Sequence, residues 1–279
     1  MPNLGYHLAR LHGSIVRSLY RIFLPLIVRR PVRACGSIAL EVFSYSGESA
    51  LPEQIASIRS FLRHVGRPAR FTVVSDGSHS KRGVSLLERI DQVVSVRMAM
   101  EPPPADLPEK LRTYLADHPT GKQLALIMSL PEKEPALYVD SDVLFFPSAQ
   151  DLSARARASG VSAYYLEDCQ FAGDARLLRG ASEQADPVNT GALLLLKKLD
   201  WSVGLARFLE MADSPNFFTN QTITHLVMHA NGARPFDPAK YILRLDDQFV
   251  YPDRYASAAL ALRHYVNPIR HKFWTSLSR

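Results

Sequence analysis

Short apolar runs alternate with helical segments along the first half of the chain, and this alternation limits the folds open to it. Residues 38–43 and 71–74 have the β-branched, apolar character of strands. Between them, the apolar spacing of residues 52–65 predicts a helix that ends at Gly66. A strand, a helix and a second strand of this kind build a parallel sheet through a right-handed crossover. We therefore expect an α/β fold.

The alternation continues through most of the chain. We expect a single domain over residues 37–279, because 279 residues with 47% apolar side chains suffice for one large core. A basic amphipathic arm over residues 1–36 precedes this domain. The further predicted helices cover residues 81–90, 107–130, 201–211 and 220–229, and the further predicted strands cover residues 93–96, 135–139, 162–166, 192–196, 241–245 and 261–266.

Polar residues follow three of the predicted strands directly. Ser44 and Tyr45 end the first strand, Asp76 follows the second, and residues 140–142 (Asp-Ser-Asp) follow the strand at 135–139. In open α/β sheets, ligands bind outside the carboxyl ends of the strands. We expect these side chains to converge on one crevice.

Asp140 and Asp142 are separated by one residue at a strand end, so they can share a hard divalent cation, either Mn²⁺ or Mg²⁺. Such a cation stabilises the charge that grows on a departing nucleoside diphosphate. The same aspartates could instead cap backbone N–H groups in a turn, which is a common role of Asp.

Residues 138–146 (Tyr-Val-Asp-Ser-Asp-Val-Leu-Phe-Phe) resemble the metal-binding strand of GT-A glycosyltransferases, especially family GT8. Asn189 and Gly191 are similar to that family's Asn-x-Gly strand, which lines the sugar pocket. Asn220 and Gln221 resemble its Asp-Gln pair near the reacting sugar, with asparagine in place of aspartate. The resemblance implies a Rossmann-like mixed sheet flanked by helices.

Residues 264–274 resemble the closing motif of the same family, in which a His is the third metal ligand and a Lys and a Trp follow. The resemblance assigns the metal to Asp140, Asp142 and His264. Counted from His264, Arg270 stands where the family has its Lys. Lys272 instead matches that Lys in the residues that flank it. Either cation could neutralise the diphosphate.

Several residues are candidates for contacts with the donor and for catalysis. Tyr45 could stack on the base and Asp76 could bind the base or the ribose, although core packing and turn capping are alternative roles. Asp168 could contact the sugar or the acceptor. An inverting enzyme would need a carboxylate as general base, whereas the retaining mechanism implied by the resemblance does not.

The predicted function is divalent-metal-dependent transfer of a hexose from a nucleotide-diphosphate sugar to a glycan or a lipid-linked glycan, in bacterial polysaccharide assembly. One alternative is a haloacid dehalogenase-type phosphatase, in which Asp140 would attack phosphorus while Lys240 and residues 246–247 (Asp-Asp) assist. A second is a protein that binds nucleotide sugars without turnover. A sugar nucleotidyltransferase would need a Gly-rich basic loop after the first strand, which residues 44–47 do not provide.

The basic arm carries the whole charge excess of the chain. The net charge is +6, and six arginines precede the first acidic residue, Glu41. Apolar residues recur at helical spacing between these arginines, so the helix could either contact an anionic membrane through residues 1–34 or pack on the domain. A nucleic-acid partner is disfavoured because the arm lacks interleaved aromatic platforms. With only two cysteines, Cys35 and Cys169, we expect a cytoplasmic protein. If the arm contacts a membrane, the protein would be peripheral at its inner face.

Overall fold

Two sheets organise the protein. The computed structural model describes residues 3–98, 102–133, 135–251 and 253–277, and in this part of the chain one sheet has seven strands and the other has three. In chain order the strands are β1 (Ser37–Ser46), β2 (Arg67–Ser75), β3 (Val94–Arg97), β4 (Ala136–Val139), β5 (Val143–Phe145), β6 (Ala163–Glu167), β7 (Val188–Leu195), β8 (Arg234–Pro235), β9 (Tyr241–Ile242) and β10 (Leu262–His264).

Helices cover both faces of the larger sheet, as the predicted α/β class requires. In chain order they are α1 (Leu4–Ile27), α2 (Leu51–His64), α3 (Lys81–Glu88), α4 (Glu109–Asp117), α5 (Pro119–Ser129), α6 (Leu152–Arg155), α7 (Ser202–Glu210), α8 (Thr219–Ala230) and α9 (His271–Ser276).

Strand direction brings the predicted polar residues to one edge of the large sheet. The strand order is β3-β2-β1-β4-β7-β6-β8. Strands β1, β2, β3 and β4 run parallel to one another, whereas β7 is antiparallel to both β4 and β6. The carboxyl ends of β1, β2, β4 and β6 therefore share an edge with the amino end of β7. The predicted α/β fold with a mixed sheet is confirmed.

Alternation along the strands divides the core into two layers. In β1, Val42 faces the layer built with α2 and α3, and the next residue, Phe43, faces the layer built with α4, α5, α7 and α8. In β4, Leu137 and Tyr138 divide in the same way. Successive side chains of a strand point to opposite faces, so an apolar run without alternation is buried on both sides.

Of two predicted helices, the first ends where the sequence predicts and the second is divided in two. Gly66 follows α2 with a φ of 122°, and its N–H donates to the Phe61 carbonyl, as expected for a helix that stops at glycine. The single helix predicted over residues 107–130 is wrong, since α4 ends at Asp117 and α5 begins at Pro119. Proline disfavours helical backbone in the residue before it, and His118 is extended with a ψ of 133°.

Buried ion pairs fix the C-terminal part of the chain. The Arg263 side chain is fully buried and contacts Asp247 (Nη2 to Oδ1, 2.8 Å) and Asp253. Lys272 Nζ lies 2.8 Å from Asp247 Oδ2. Burial would raise the pKa of Asp247, but its contacts with Arg263 and Lys272 outweigh burial and hold that pKa below its usual range. These pairs join β10 and α9 to the segment after β9.

Substitution of Asp247 tests this anchor. We expect Asp247→Asn to lower the free energy of unfolding by about 3–5 kcal/mol, because it leaves the buried charge of Lys272 without its carboxylate and removes one of the two carboxylates that Arg263 contacts. Urea unfolding followed by circular dichroism measures this change. The matched control is Asp246→Asn, since the Asp246 side chain is 56% exposed and pairs with Arg254 at 3.6 Å. Asp246→Asn should change the free energy of unfolding by less than about 1 kcal/mol. Equal changes in the two variants would contradict the role of Asp247 as a buried anchor.

Candidate active site

The carboxyl edge of the large sheet opens into a cavity of about 610 Å³. The end of β1, the loops after β4 and β6, the start of β7, the segment before α8 and the end of β10 contribute to its wall. The cavity is lined by most of the site residues predicted from the sequence, namely Tyr45, Asp140, Asp142, Asp168, Asn189, Asn220, Gln221, His264 and Arg270.

Pairing between the two sheets brings His264 beside the aspartates. After β4 the chain turns at Asp140, whose N–H donates to the Gly191 carbonyl (3.0 Å), and it enters β5 at Val143. Strand β10 pairs antiparallel with β5, and His264 lies opposite Val143 in that register. The residue just before β5, Asp142, is therefore next to His264, although the two are far apart in sequence.

Asp140, Asp142 and His264 form a compact group of possible metal ligands. His264 Nε2 lies 3.0 Å from Asp142 Oδ1 and 3.6 Å from Asp140 Oδ2. One ligand atom from each residue lies within 4.8 Å of the other two. Two carboxylates and an imidazole are a donor set that fits a divalent cation. The residues present at this position therefore fit the predicted metal.

Asn189 sets the tautomer of His264. Its Oδ1 lies 2.9 Å from His264 Nδ1 and accepts a hydrogen bond from the Gly191 N–H (2.8 Å), while its Nδ2 donates to Asp168 Oδ2 (2.9 Å). A carbonyl oxygen cannot donate, so the hydrogen on this side of the imidazole is on Nδ1. Nε2 is left to face the carboxylates, in the orientation that metal-ligating histidines have.

Burial and charge shift all three titratable groups. Burial raises the pKa of Asp140 to about 6, although the positive charge of His264 opposes it. Burial would also raise the pKa of Asp142, but His264 and Arg270 outweigh it and lower that pKa. Burial would lower the pKa of His264, yet the charge and hydrogen bond of Asp142 raise it. A proton on His264 and a divalent cation thus compete for the same carboxylates.

A second set of hydrogen bonds orients Asp140. Its Oδ1 accepts from the Tyr138 hydroxyl (2.8 Å) and from Gln123 Nε2 (3.1 Å). Asn220 Nδ2 donates in turn to Gln123 Oε1 (2.9 Å). The roles of Tyr138 and Gln123 were not predicted from the sequence. Tyr138 could have been found because it precedes Asp140 by two residues and so shares its face of the strand, whereas no motif singles out Gln123.

Hydrogen bonds continue from His264 and Asp142 to both sides of the cavity. On one side, Asp168 Oδ2 accepts from Asn189 and also from Gln221 Nε2 (3.3 Å). On the other side, Arg270 Nη2 lies 2.5 Å from Asp142 Oδ2, and its side chain is 52% exposed. These contacts connect the predicted sugar-binding residues to the predicted metal ligands.

Four predicted site residues lie outside the lining of the cavity. Ser44 is buried and its hydroxyl donates to the Val139 carbonyl (2.5 Å), so it ties β1 to β4. Asp76 is exposed and accepts from the N–H of Ser78. Lys272 is buried in its ion pair with Asp247. Gly191 lies behind the imidazole, where a Cβ would come within 2.2 Å of the His264 ring.

Two exposed phenylalanines at the rim were not predicted as site residues. Phe217 and Phe218 precede α8 with exposures of 71% and 44%, and both line the cavity. Adjacent aromatic side chains in an otherwise polar segment are the signal that could have identified them.

Comparisons with known proteins establish the fold. No protein-family model and no curated protein matches the sequence. Among solved structures, the chain is similar to the galactosyltransferase LgtC in complex with donor and acceptor sugar analogues, with 15% identity, a TM-score of 0.55 and coverage of 86% of this chain and 95% of that one. It is also similar to mouse xyloside xylosyltransferase 1, with 14% identity, a TM-score of 0.55 and coverage of 83% and 98%.

A third similar structure is the glycosyltransferase GlyE of Streptococcus pneumoniae, with 13% identity, a TM-score of 0.53 and coverage of 88% of this chain and 61% of that one. The protein has the GT-A fold that these glycosyltransferases share, as the resemblance of residues 138–146 implied. Membership of family GT8 stays a prediction.

Proton competition at the metal group gives a pH-dependent prediction. We expect Mn²⁺ affinity to rise between about pH 5 and pH 8, by about tenfold per pH unit for each proton displaced. The sign follows from the raised pKa values of His264 and Asp140, since a larger fraction of both groups is protonated as pH falls and the cation must then displace those protons. Calorimetry in buffers of different ionisation enthalpy measures the protons released. An affinity that is constant over this range would contradict the site.

The close approach behind the imidazole gives a second prediction. Gly191→Ala should weaken Mn²⁺ binding by roughly 10- to 100-fold, because the new Cβ would displace the His264 ring from Asn189. Gly180→Ala is the matched control, since its nearest neighbour would be Ser182 Oγ at 3.9 Å. Calorimetric titration of both variants compares them, and equal affinities would show that His264 is not a ligand.

Proposed function

We propose that this protein transfers a sugar from a nucleotide-diphosphate sugar to an acceptor hydroxyl in a divalent-metal-dependent reaction. The observation that carries the proposal is the convergence of Asp140, Asp142 and His264 in one cavity, with Arg270 beside them. Two carboxylates, an imidazole and a mobile cation suit a diphosphate leaving group better than they suit any other common substrate.

Asp140, Asp142 and His264 would hold the metal in this proposal. When bound, the metal neutralises the charge that develops on the diphosphate as the sugar–phosphate bond breaks. The nitrogen ligand favours Mn²⁺ over Mg²⁺, which prefers oxygen ligands. Asn189 fixes the imidazole, and Tyr138 and Gln123 fix the carboxylate of Asp140.

Arg270 is the residue that we assign to the diphosphate. It lines the cavity, and half of its side chain is exposed, so its guanidinium can turn from Asp142 to a phosphate when a cation takes over that carboxylate. Lys272 is less suited to this role because its charge is already balanced by buried Asp247. The planar guanidinium also matches two phosphate oxygens at once.

The strand order suggests how the donor lies. Tyr45 ends β1 on one side of the metal residues, and burial together with nearby Asp76 raises the pKa of its hydroxyl to about 12. Asp168 and Asn189 follow β6 and begin β7 on the other side. We therefore assign the nucleoside to the β1 side, with Asp76 as its polar neighbour, and the sugar to the β6 and β7 side.

Retention of configuration is the stereochemistry that we propose. Asn220 and Gln221 are amides and cannot take a proton from the acceptor hydroxyl. The carboxylate of Asp168 accepts hydrogen bonds from Asn189 and Gln221, which hold it in place for binding sugar hydroxyls. The leaving phosphate is then the group available to accept the proton. The assignment of a hexose as the transferred sugar rests on the GT8 resemblance alone.

The acceptor would enter beside Phe217 and Phe218, which precede α8 and line the cavity. Both side chains are exposed, and their ring planes are perpendicular to each other at a centroid distance of 5.2 Å. Aromatic rings offer large, rigid apolar surfaces. The apolar face of a glycan acceptor could pack against them.

The positions of the other charged residues favour sugar transfer over phosphatase activity. A haloacid dehalogenase-type enzyme would need Lys240 and an acidic pair near Asp140. Lys240 and Asp247 lie outside the described lining of the cavity, and Asp247 is buried against Arg263. The charges that a phosphatase would use therefore do not line the cavity that contains Asp140.

A donor-binding screen tests the proposed function. Calorimetry with UDP-, GDP- and dTDP-linked sugars should detect one donor that binds only in the presence of Mn²⁺. The double variant Asp140→Ala, Asp142→Ala should bind that donor roughly 100-fold or more weakly, because the metal contributes several kcal/mol to holding the diphosphate.

The control for this screen is Asp213→Ala, since the Asp213 side chain is 74% exposed and lies outside the lining of the cavity. This variant should bind the donor as the wild type does. Metal-independent binding, or hydrolysis of a phosphomonoester such as p-nitrophenyl phosphate, would contradict the proposal.

A further inference from the structure

Helix α1 exposes a continuous apolar stripe. Eight large apolar side chains on this helix have exposures between 49% and 71%. They recur at three- and four-residue intervals, so they share one face of a helix that is about 36 Å long. Monomeric soluble proteins rarely expose an apolar patch of this extent without a binding role. The residues of this stripe are Leu4, Leu8, Leu11, Ile15, Leu19, Ile22, Phe23 and Leu26.

The opposite face of α1 is attached to the rest of the protein. Ala9 and Leu24 are buried, and a Cβ on Gly13 would lie 2.4 Å from the His271 carbonyl oxygen of α9. The rings of Tyr20 and Trp274 lie 5.2 Å apart. The helix therefore packs on the domain and presents its apolar stripe outward at the same time. Packing on the domain and contact with a membrane, the two alternatives predicted for the arm, are therefore compatible.

The charges around the stripe have one sign. Arg10, Arg21 and Arg29 are exposed, and no acidic residue precedes Glu41 in the chain. Arg17 differs from these arginines, because its charge is paired within the protein: its Nε lies 2.5 Å from Glu53 Oε1. Basic residues beside an apolar helix face are the pattern of helices that lie in the interface of anionic membranes.

A basic cavity lies at the C-terminal end of α1. It measures about 220 Å³ and is lined by Ile27, Arg30, Arg59, Arg63 and other residues, none of which is acidic in the described part of its wall. Arg59 Nη1 donates to the Arg30 carbonyl (2.9 Å), which holds this guanidinium beside Arg30 in the cavity wall. Burial, together with the charges of Arg63 and Arg30, lowers the pKa of Arg59. This concentration of positive charge is suited to an anion such as a phosphate group.

We propose that α1 docks on an anionic membrane surface, with its apolar stripe in the headgroup region and a lipid phosphate in the cavity formed by Arg30, Arg59 and Arg63. Two partners could cover the apolar stripe, a lipid surface or a second copy of the chain, and the charge of the arm favours the lipid surface. Two stripes packed face to face would bring their arginines together, whereas an anionic surface attracts them. Among the described residues, no helix, α1 included, combines the length and the apolarity needed to cross a bilayer.

Vesicle sedimentation with the full chain tests this proposal without reference to enzymatic activity. The protein should sediment with vesicles of phosphatidylcholine and phosphatidylglycerol, and at least about tenfold less with vesicles of phosphatidylcholine alone. A triple variant, Leu8→Ser, Ile15→Ser and Leu19→Ser, should lose at least about tenfold of this partition. These side chains are exposed, so thermal unfolding should be close to that of the wild type.

A second variant separates the basic cavity from the stripe. Arg59→Gln, Arg63→Gln should weaken partition to the anionic vesicles by roughly tenfold or more and leave the weak partition to neutral vesicles unchanged. Leu209→Ser and Arg179→Gln are the matched controls, since these side chains are exposed on α7 and in the segment before β7. Both controls should sediment as the wild type does.

Three outcomes would overturn the proposal. The first is no sedimentation with anionic vesicles, and the second is equal sedimentation of the wild type and the triple variant. The third is a wild-type protein that does not bind vesicles but forms a dimer in analytical ultracentrifugation, with the dimer lost in the triple variant. That result would assign the stripe to a second copy of the chain.

Discussion

Asp140 and Asp142 lie close together after one strand, and this electrostatic constraint governs the structure around them. The Asp142 side chain is 8% exposed and that of Asp140 is 24% exposed. Two carboxylates largely removed from water repel each other, so their surroundings must supply positive charge or hydrogen-bond donors. His264 and Arg270 supply the charge, and Tyr138 and Gln123 supply donors. The same need for positive charge makes the pair suitable for a divalent cation. Stability and the proposed function thus rest on one arrangement.

The small sheet is what delivers His264 to this position. Strand β5 continues the chain after Asp142, and β10 pairs with it in a register that fixes His264 opposite Val143. The buried pairs of Arg263 with Asp247 and Asp253 hold β10 from its other side. Adjacent residues of one strand therefore have different tasks, since Arg263 secures the strand and His264 faces the cavity.

The sequence predicted the parts of the fold that local pattern determines. Strands β1, β2 and β4 are apolar runs with polar ends, and the carboxyl-edge rule correctly brought Tyr45 and Asp140 to one cavity. The pairing of β5 with β10 could not be derived in the same way, because strands of three residues have little intrinsic preference and depend on their partner. Gln123 was missed for a related reason. A polar residue on a helix has no local mark that shows which distant carboxylate it will contact.

The antiparallel direction of β7 has a consequence for how the cavity wall can change. Strand β6 ends at Glu167 and β7 begins at Val188, and these two residues are paired with each other. Residues 168–187 therefore leave the sheet and return to it at the same point, and Asp168, Gln170 and Ala172 of this segment line the side of the cavity to which we assign the sugar. The entropic cost of closing a loop grows only slowly with its length. Insertions and deletions in this segment can thus reshape the cavity while the paired strands keep their register. If the proposed function holds, this segment is the natural place to begin redesigning substrate choice.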